Sequence, residues 1–275
     1  MVALIAISLA TTIISAERPD PGRLPADQQA IFQRVTSEEF CSCDSALTLA
    51  GCLQLRADCR TADHLANLIV RGAEAGLSAE ELLGTLSSRV MGPFCKSPAT
   101  FNVDNAPAKG PKDAAVTLVE FADFRCSHCR TAAPLIARAA KRYGKSVRVV
   151  FMPFPLQNNP MSMAAAEASL AAGAQGKFWQ MHDALFADRK GDFTNANLNR
   201  LARKIGLDMK RFEKDMAQGA YRAQVLALKE QGVAAGVEGT PSLFINGRPY
   251  DIDPNLFTLE HRFDMELDRN RGNCQ

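Results

Sequence analysis

The feature that most constrains the fold is a pair of cysteines placed where a strand pattern gives way to a helix pattern. Cys126 and Cys129 are separated by two residues. Residues 116–124 before them are rich in β-branched and aromatic side chains, which predicts a strand, and residues 127–143 carry apolar side chains at helical spacing. A helix that begins at the motif places the first sulfur at its N-terminus and the second one turn inside. The sequence therefore predicts two sulfurs that can form a disulfide.

The chemistry expected of this motif follows from its place at a helix N-terminus. Unpaired N–H groups and the positive end of the helix dipole favour a thiolate at Cys126, which lowers its pKa and makes it a nucleophile. The His128 imidazole, if it folds back over the sulfur, adds a hydrogen bond or a positive charge. A stabilised thiolate stabilises the reduced form, which makes the disulfide a better oxidant.

Three simpler interpretations stand beside this one. The cysteine pair could be half of a zinc site or a structural bridge, and His128 could be an ordinary surface histidine. Zinc requires four ligands, and His182 and His261 are isolated in the sequence downstream of the motif. The sequence therefore favours a redox pair and predicts neither a metal site nor a cofactor.

Three segments together resemble the DsbA-type branch of the thioredoxin superfamily. They are EFADFRCSHC at 120–129, the stretch 164–186 with GKFW inside it, and GTPSLFING at 239–247. The resemblance spans roughly residues 113–262. It implies an α/β, thioredoxin-like fold with a helical insertion, and a thiol–disulfide oxidoreductase activity.

The resemblance also implies roles for single residues. Cys126 is the attacking cysteine and Cys129 the buried resolving one. Pro241 is a cis-proline facing the disulfide, and Thr240 offers backbone groups to an extended substrate peptide. Glu120 matches a buried acid that exchanges a proton with Cys129. From the residues alone, Pro241 could equally be an ordinary strand-start proline and Glu120 could face solvent.

The direction of electron flow is left open by two residues. Ser127, which we group with the substrate-contacting residues, stands where many DsbA-type oxidases have proline. Thr240 is also similar to what disulfide isomerases and some reductive relatives carry at that position, whereas His128 favours the oxidising end. The expected activity is oxidase, with isomerase or reductase as the alternative.

The remaining cysteines are candidates for structural disulfides, and six of the eight fall in this group: Cys41, Cys43, Cys52, Cys59, Cys95 and Cys274. Cys52 and Cys59 are seven residues apart, so on one helix they lie about 10 Å from each other and do not bridge. We expect three disulfides that staple a small all-α domain. Two alternatives stay open: a second redox pair at Cys41 and Cys43, and a copper or zinc site that includes His64.

The domain organisation follows from composition along the chain. We predict a signal peptide or N-terminal anchor at 1–16, a Cys-rich helical domain at 35–95, a Pro- and Gly-rich linker at 96–112, and the catalytic domain at 113–272. Within the second of these, helices are expected at 45–59, 61–75 and 79–90. This helical stretch faintly resembles the thiol-handling domain of CcmH, although CcmH has two residues between its cysteines and Cys41 and Cys43 have one.

Location and partners are expected from the same features. The apolar run at 2–15 is about the length of a signal-peptide core, and an even number of cysteines suits an oxidising compartment. The expected location is periplasmic or extracytoplasmic, with N-terminal anchoring possible. Partners would be exported polypeptides with cysteine thiols and a membrane redox protein. A net charge of +2 without a basic block argues against nucleic acid.

Overall fold

The computed structural model describes residues 20–41, 46–55, 59–86, 98–156, 159–250 and 254–270. These fall into two compact units that divide after Gly84. The predicted signal or anchor segment at 1–16 lies outside the described residues, as do Cys43, Cys95 and Cys274. None of the helices in the described ranges is long and apolar enough to span a bilayer.

The first unit is helical. Its described helices are α1 (Ala26–Glu38), α2 (Leu49–Leu55), α3 (Arg60–Glu74) and α4 (Ala79–Leu86). The last three match the predicted helices, although α2 begins later than expected, at Leu49, and α1 was not predicted. A capping box begins α4: the Ser78 N–H donates to the Glu81 carboxylate at 2.8 Å, and the Glu81 N–H donates to the Ser78 hydroxyl at 3.3 Å.

The second unit is built on a five-stranded sheet in the order β1-β3-β2-β4-β5. The strands are β1 (Ala108–Lys109), β2 (Val116–Ala122), β3 (Val147–Pro153), β4 (Ser242–Ile245) and β5 (Arg248–Tyr250). The β2 and β3 strands are parallel, and the other neighbours are antiparallel. The β4–β5 hairpin turns at Asn246 and Gly247, both with positive φ, as an Asn-Gly turn requires.

Helices cover both faces of this sheet. The crossover from β2 to β3 is α5 (Ser127–Tyr143), which contains Pro134, and it packs with α11 (Leu256–Asn270) over one face. Helix α10 (Arg222–Ala234) covers the other face. There Gly232 lies so close to the sheet that an added Cβ would come within 2.8 Å of the Phe121 ring, so glycine is required.

The predicted helical insertion lies between β3 and β4. It comprises α6 (Pro160–Gly173), α7 (Phe178–Ala187), α8 (Asn195–Lys204) and α9 (Met209–Ala217), followed by α10. Its apolar core is continuous with the motif, because Cys129, Phe124 and Phe151 belong to the same buried cluster as the inner faces of these helices. The expected α/β thioredoxin-like fold with a helical insertion, preceded by a helical region that holds a disulfide, is confirmed.

The segment that we predicted to be a linker, 96–112, is different in the structure. Its described part begins at residue 98 and belongs to the second unit. Phe101 and Val103 pack against the core beside α10, and β1 pairs with β3 through Ala108 and Val150. A two-residue strand is too short to show an alternating pattern of apolar and polar residues. The Pro and Gly residues around β1 therefore indicated a linker.

Candidate active site

Cys126 is the N-cap residue of α5 and lies half-buried between the helix and the loop before β4. Its carbonyl accepts the first hydrogen bond of the helix, from the Arg130 N–H at 3.1 Å. A hydrogen bond from the Cys129 thiol lowers the pKa of Cys126 to about 5, against the opposing effect of burial. The nearby Thr240 side chain and the backbone N–H groups of Cys129 and His128 lower this pKa further. At neutral pH the arrangement therefore favours a thiolate.

Cys129 is fully buried, whereas Cys126 is half-buried. It lies in the first turn of α5 and packs in the apolar cluster shared with the helical insertion. Burial raises the pKa of its thiol well above the usual range, and the Cys126 sulfur raises it further. Both cysteines are free thiols in the structure. The pair is thus divided into an ionised outer sulfur and a protonated inner one.

The loop before β4 brings two further expected residues to the motif. The Thr240–Pro241 peptide bond is cis, and the Cys126 thiol donates to the Thr240 backbone carbonyl at 3.1 Å. The Thr240 Oγ1 atom is buried and has no partner of hydrogen-bonding geometry among the described residues. This hydroxyl is therefore available as a donor to Cys126 when the sulfur is a thiolate.

Glu120 lies on β2 and is 2% exposed, so the alternative that it faces solvent is wrong. Strand alternation places it on the same face as Leu118 and Ala122, the face that α5 covers. Burial raises its pKa to about 8, and its Oε1 atom has no hydrogen-bond partner among the described residues. A buried, protonated carboxyl group in the strand that leads into the motif can give and take a proton near neutral pH.

The two residues between the cysteines are exposed. The contribution of His128 that lowers the Cys126 pKa is a hydrogen bond from its backbone N–H. Ser127 is the first residue of α5 and lies open to an approaching polypeptide.

Asp123 is a site residue that the sequence reasoning missed. It is 2% exposed, and its carboxylate accepts from the Arg125 N–H at 2.8 Å and from the Leu156 N–H at 2.9 Å. Its backbone carbonyl accepts from the Cys126 N–H at 3.0 Å. Asp123 thus joins the loop before the motif to the loop after β3. An Asp that bonds to the backbone two residues on is an Asx turn, and this was the available sequence signal.

The cysteines of the first unit form a separate cluster of sulfur atoms. Cys41 and Cys52 are joined in a disulfide, which contradicts a redox pair made of Cys41 and Cys43. Cys59 is also disulfide-bonded, and the Sγ atoms of Cys41, Cys52 and Cys59 all lie within 4.8 Å of one another. Cys52 and Cys59 do not bridge each other, but the reason we expected is wrong: Cys52 is on α2 and Cys59 precedes α3, and their sulfurs lie much closer than 10 Å. In this oxidised state the three sulfurs are not thiolates, the form in which cysteine binds a metal.

Comparison with known proteins places the second unit in a family. A model of the family described as thioredoxin matches residues 102–261, more than half of the chain. The chain belongs to the thioredoxin family. One solved relative is described as a thioredoxin-like oxidoreductase from Silicibacter pomeroyi. It is 30% identical to this thioredoxin-family chain, with a TM-score of 0.54, and the match covers 62% of this chain and 94% of the relative.

Two further structures support the DsbA-type fold. The oxidised form of BdbD from Bacillus subtilis has a TM-score of 0.57 at 19% identity, and covers 62% of this chain and 97% of its own. The thiol-disulfide exchange protein alpha-DsbA2 from Wolbachia pipientis has a TM-score of 0.52 at 23% identity. The match covers 59% of this chain and 87% of that protein. At these identities the likeness shows the fold alone, and this fold is the one that the DsbA-type resemblance implies.

The curated relatives are much longer proteins. A Na(+)/H(+) antiporter, NhaA 3 of Salinispora tropica, is 37% identical over 155 residues, which is 54% of this chain and 24% of the antiporter. The Na(+)/H(+) antiporter NhaA of Herminiimonas arsenicoxydans is 35% identical over 140 residues, which is 51% of this chain and 22% of the antiporter. The chain thus spans about a quarter of the length of these relatives.

Proposed function

We propose that the chain is a protein thiol–disulfide oxidoreductase that exchanges a Cys126–Cys129 disulfide with cysteines of exported polypeptides, working as an oxidase. The observation that carries the proposal is the state of Cys126, a half-buried sulfur at the N-cap of α5 with a pKa of about 5. A structural bridge needs no activated outer sulfur.

The proposed reaction begins with the oxidised pair. A substrate thiolate attacks Cys126 Sγ, the Cys126–Cys129 bond breaks, and Cys129 leaves as a thiolate that takes a proton. We assign that proton to Glu120, whose buried carboxyl group has a pKa of about 8. A second substrate thiolate then attacks the substrate sulfur of the mixed disulfide and releases Cys126. The low pKa of Cys126 makes it a good leaving group in this step.

The oxidase direction is supported by the same pKa. Thiol pKa values of about 7 in thioredoxin and about 3.5 in DsbA accompany reducing and oxidising potentials respectively. The pKa of Cys126, about 5, lies between them. A stabilised thiolate favours the reduced enzyme, so the disulfide passes readily to substrate. We expect a reduction potential between about −270 and about −120 mV.

Substrates, location and partners belong to the proposal. The Cys41–Cys52 disulfide in the first unit favours an oxidising compartment, and the apolar run at 2–15 favours export, so we place the protein in the periplasm or outside the cytoplasm. Substrates would be exported polypeptides with reduced cysteines. Re-oxidation requires a second redox protein, which we place in the membrane. Because the sulfurs carry the electrons, the reaction requires no organic cofactor.

Thr240 favours a second candidate. Its resemblance to isomerases and reductases supports the same chemistry run as disulfide isomerisation or reduction, for example in cytochrome c maturation. A measured potential of the Cys126/Cys129 couple separates the two. A value at or below that of thioredoxin, about −270 mV, would exclude the oxidase and support the reductase.

The activity itself is tested with a reduced, unfolded model substrate. We expect the oxidised protein to form disulfides in this substrate stoichiometrically, and Cys126→Ala to lose that activity while its sheet and helices remain folded. Retention of full activity in Cys126→Ala would overturn the proposal. No activity in the wild-type protein would instead favour a non-catalytic peptide-binding or metal-binding module.

A further inference from the structure

The side chain of Asp123 is buried beside the reacting pair, and both of its carboxylate oxygens are used. It is 2% exposed. The Oδ1 atom accepts from the Arg125 N–H at 2.8 Å, and the Oδ2 atom accepts from the Leu156 N–H at 2.9 Å. An asparagine of the same shape could accept from only one of these N–H groups, because its other terminal atom is a donor. The two contacts together therefore require a carboxylate.

The backbone of Asp123 contacts both cysteines of the motif. Its carbonyl accepts from the Cys126 N–H at 3.0 Å, which closes the turn from which α5 begins. Burial raises the pKa of Cys129 most, and a hydrogen bond from the Asp123 N–H acts in the opposite direction. A displacement of this one residue would therefore change the surroundings of the outer and the inner sulfur at once.

The carboxylate joins this backbone to the segment that follows β3. The parallel ladder of β2 and β3 runs to Ala122 and Pro153, and the Phe154 N–H still donates to the Ala122 carbonyl at 2.8 Å. One residue further along β2, the side chain of Asp123 continues the connection through the Leu156 N–H. The Asp123 carboxylate thus fixes the turn at residues 123–126 relative to the sheet.

We propose that Asp123 is a positioning residue for the disulfide exchange: its carboxylate holds the turn so that the Cys126 sulfur stays at the N-terminus of α5 and the Asp123 N–H stays on the Cys129 sulfur. This inference rests on the proposed function. When a substrate thiolate bonds to Cys126 Sγ, the Cys126–Cys129 bond breaks and its electron pair goes to the Cys129 sulfur. The Asp123 N–H stabilises that developing thiolate until it takes its proton.

The test uses Asp123→Asn in the full-length protein, which keeps the side-chain shape and removes one acceptor oxygen. The Cys126 thiolate is titrated by ultraviolet absorbance in the reduced form, and disulfide transfer to a reduced peptide is timed at neutral pH. We expect the titration midpoint to rise by about one pH unit and the rate to fall about tenfold, the size of one lost hydrogen bond. Loss of a nearby negative charge would by itself lower the Cys126 pKa, so a rise reports displaced N–H groups.

Two further variants accompany Asp123→Asn. Asp192→Asn removes an exposed carboxylate from the same unit and should keep the wild-type midpoint and rate. Leu156→Pro removes the N–H that donates to Oδ2 and leaves the carboxylate in place, so it should move both readouts in the same direction as Asp123→Asn. If Asp123→Asn fails to fold, as judged by near-ultraviolet circular dichroism, Leu156→Pro decides the question.

The outcomes separate this inference from the proposed function. A folded Asp123→Asn protein with the wild-type midpoint, or a lower one, would overturn the positioning role while wild-type disulfide transfer left the proposed function standing. A wild-type protein that transferred no disulfide would refute the proposed function, and the positioning role with it.

Discussion

Two long helices in this chain begin at a cysteine, and the two units surround these cysteines differently. Cys126 begins the 17-residue α5 and Cys59 begins the 15-residue α3, neither with a side-chain cap. Cys126 faces the Thr240 carbonyl beside a cis-proline and is a free thiol. Cys59 faces two other sulfurs and is in a disulfide. A helix N-terminus activates a sulfur, and what packs against that sulfur decides its use.

The first turns of the two helices also differ in charge. Helix α5 has no acidic residue in its first turn, whereas α3 has Asp63 there. A carboxylate near the helix N-terminus competes with a thiolate for the same N–H groups and dipole. The positive end of the α5 dipole therefore acts on the Cys126 sulfur without a competing acidic residue in the first turn, whereas in α3 Asp63 competes with Cys59.

The largest expected effect comes from removing the nucleophile of the second unit. Cys126→Ala should lower the rate of disulfide transfer to a reduced peptide by at least about a thousandfold, since the remaining Cys129 is buried and protonated. Arg138→Ala, at an exposed position on the same helix, is the matched control and should keep the wild-type rate. A rate within tenfold of wild type in Cys126→Ala would show that Cys126 is not the sulfur that transfers the disulfide, and would overturn the proposed function.

The next effect concerns the buried acid. Its folded pKa is about 8 and its ordinary value 4.5, so folding binds a proton at Glu120 within this window. The contribution to stability is complete below pH 4.5 and is lost as pH rises to 8, by roughly 4 kcal/mol. Denaturation followed by the fluorescence of Trp179, the single tryptophan and part of the second unit, measures this loss.

Glu120→Gln should remove that pH dependence, because the amide does not ionise. Glu238→Gln changes an exposed carboxylate in the same unit and should keep the wild-type dependence. If Glu120→Gln and wild type lost stability in parallel across the window, Glu120 would be ionised at neutral pH. The proton assigned to Cys129 would then need another source.

A smaller effect is expected from the disulfide of the first unit. The Cys41–Cys52 bond closes a loop of sequence separation 11, and its removal should cost about 3 kcal/mol by loop entropy. In Cys41→Ser, Cys52→Ser we expect faster amide hydrogen exchange in α1 and α2 and unchanged exchange in β2 and β3. Loss of protection in the sheet as well would show that the two units unfold together.

The smallest effect tests the capping box of α4. Ser78→Ala removes the hydroxyl that accepts from the Glu81 N–H, and should cost about 1 kcal/mol. Hydrogen exchange should increase in the first turn of α4 alone. Ser78→Asp, which restores an acceptor at the cap, should recover most of the protection, and failure to do so would assign the loss to packing.

Much of the second unit could be predicted from the sequence because its signals are local. The strand before Cys126, the helix after it and the Asn246-Gly247 turn are each visible in a few residues. The cis form of the Thr240–Pro241 bond and the partners of Thr240 depend on residues more than a hundred positions apart, and only the family resemblance suggested them. The buried state of Glu120 follows from α5 lying over β2, which the strand pattern alone did not decide.

The first unit was less predictable for a physical reason. Helix α1 has few apolar residues and buries only Phe32, Val35 and Thr36, so its periodicity is weak. Cysteine spacing limits which pairs can bridge but leaves the pairing open, so Cys41–Cys52 could not be chosen in advance. The position of the His128 imidazole was a matter of rotamer choice on an exposed residue, which the sequence does not specify.

The most direct test of the account is the titration of Cys126. The ultraviolet absorbance of the thiolate is followed against pH in the reduced protein, with Cys126→Ser as the blank. We predict a single thiolate with a pKa of about 5 in the reduced protein and its absence from Cys126→Ser. A pKa near the ordinary value of 9.0 would show that the helix N-terminus, Cys129 and Thr240 do not activate this sulfur, and would contradict the account.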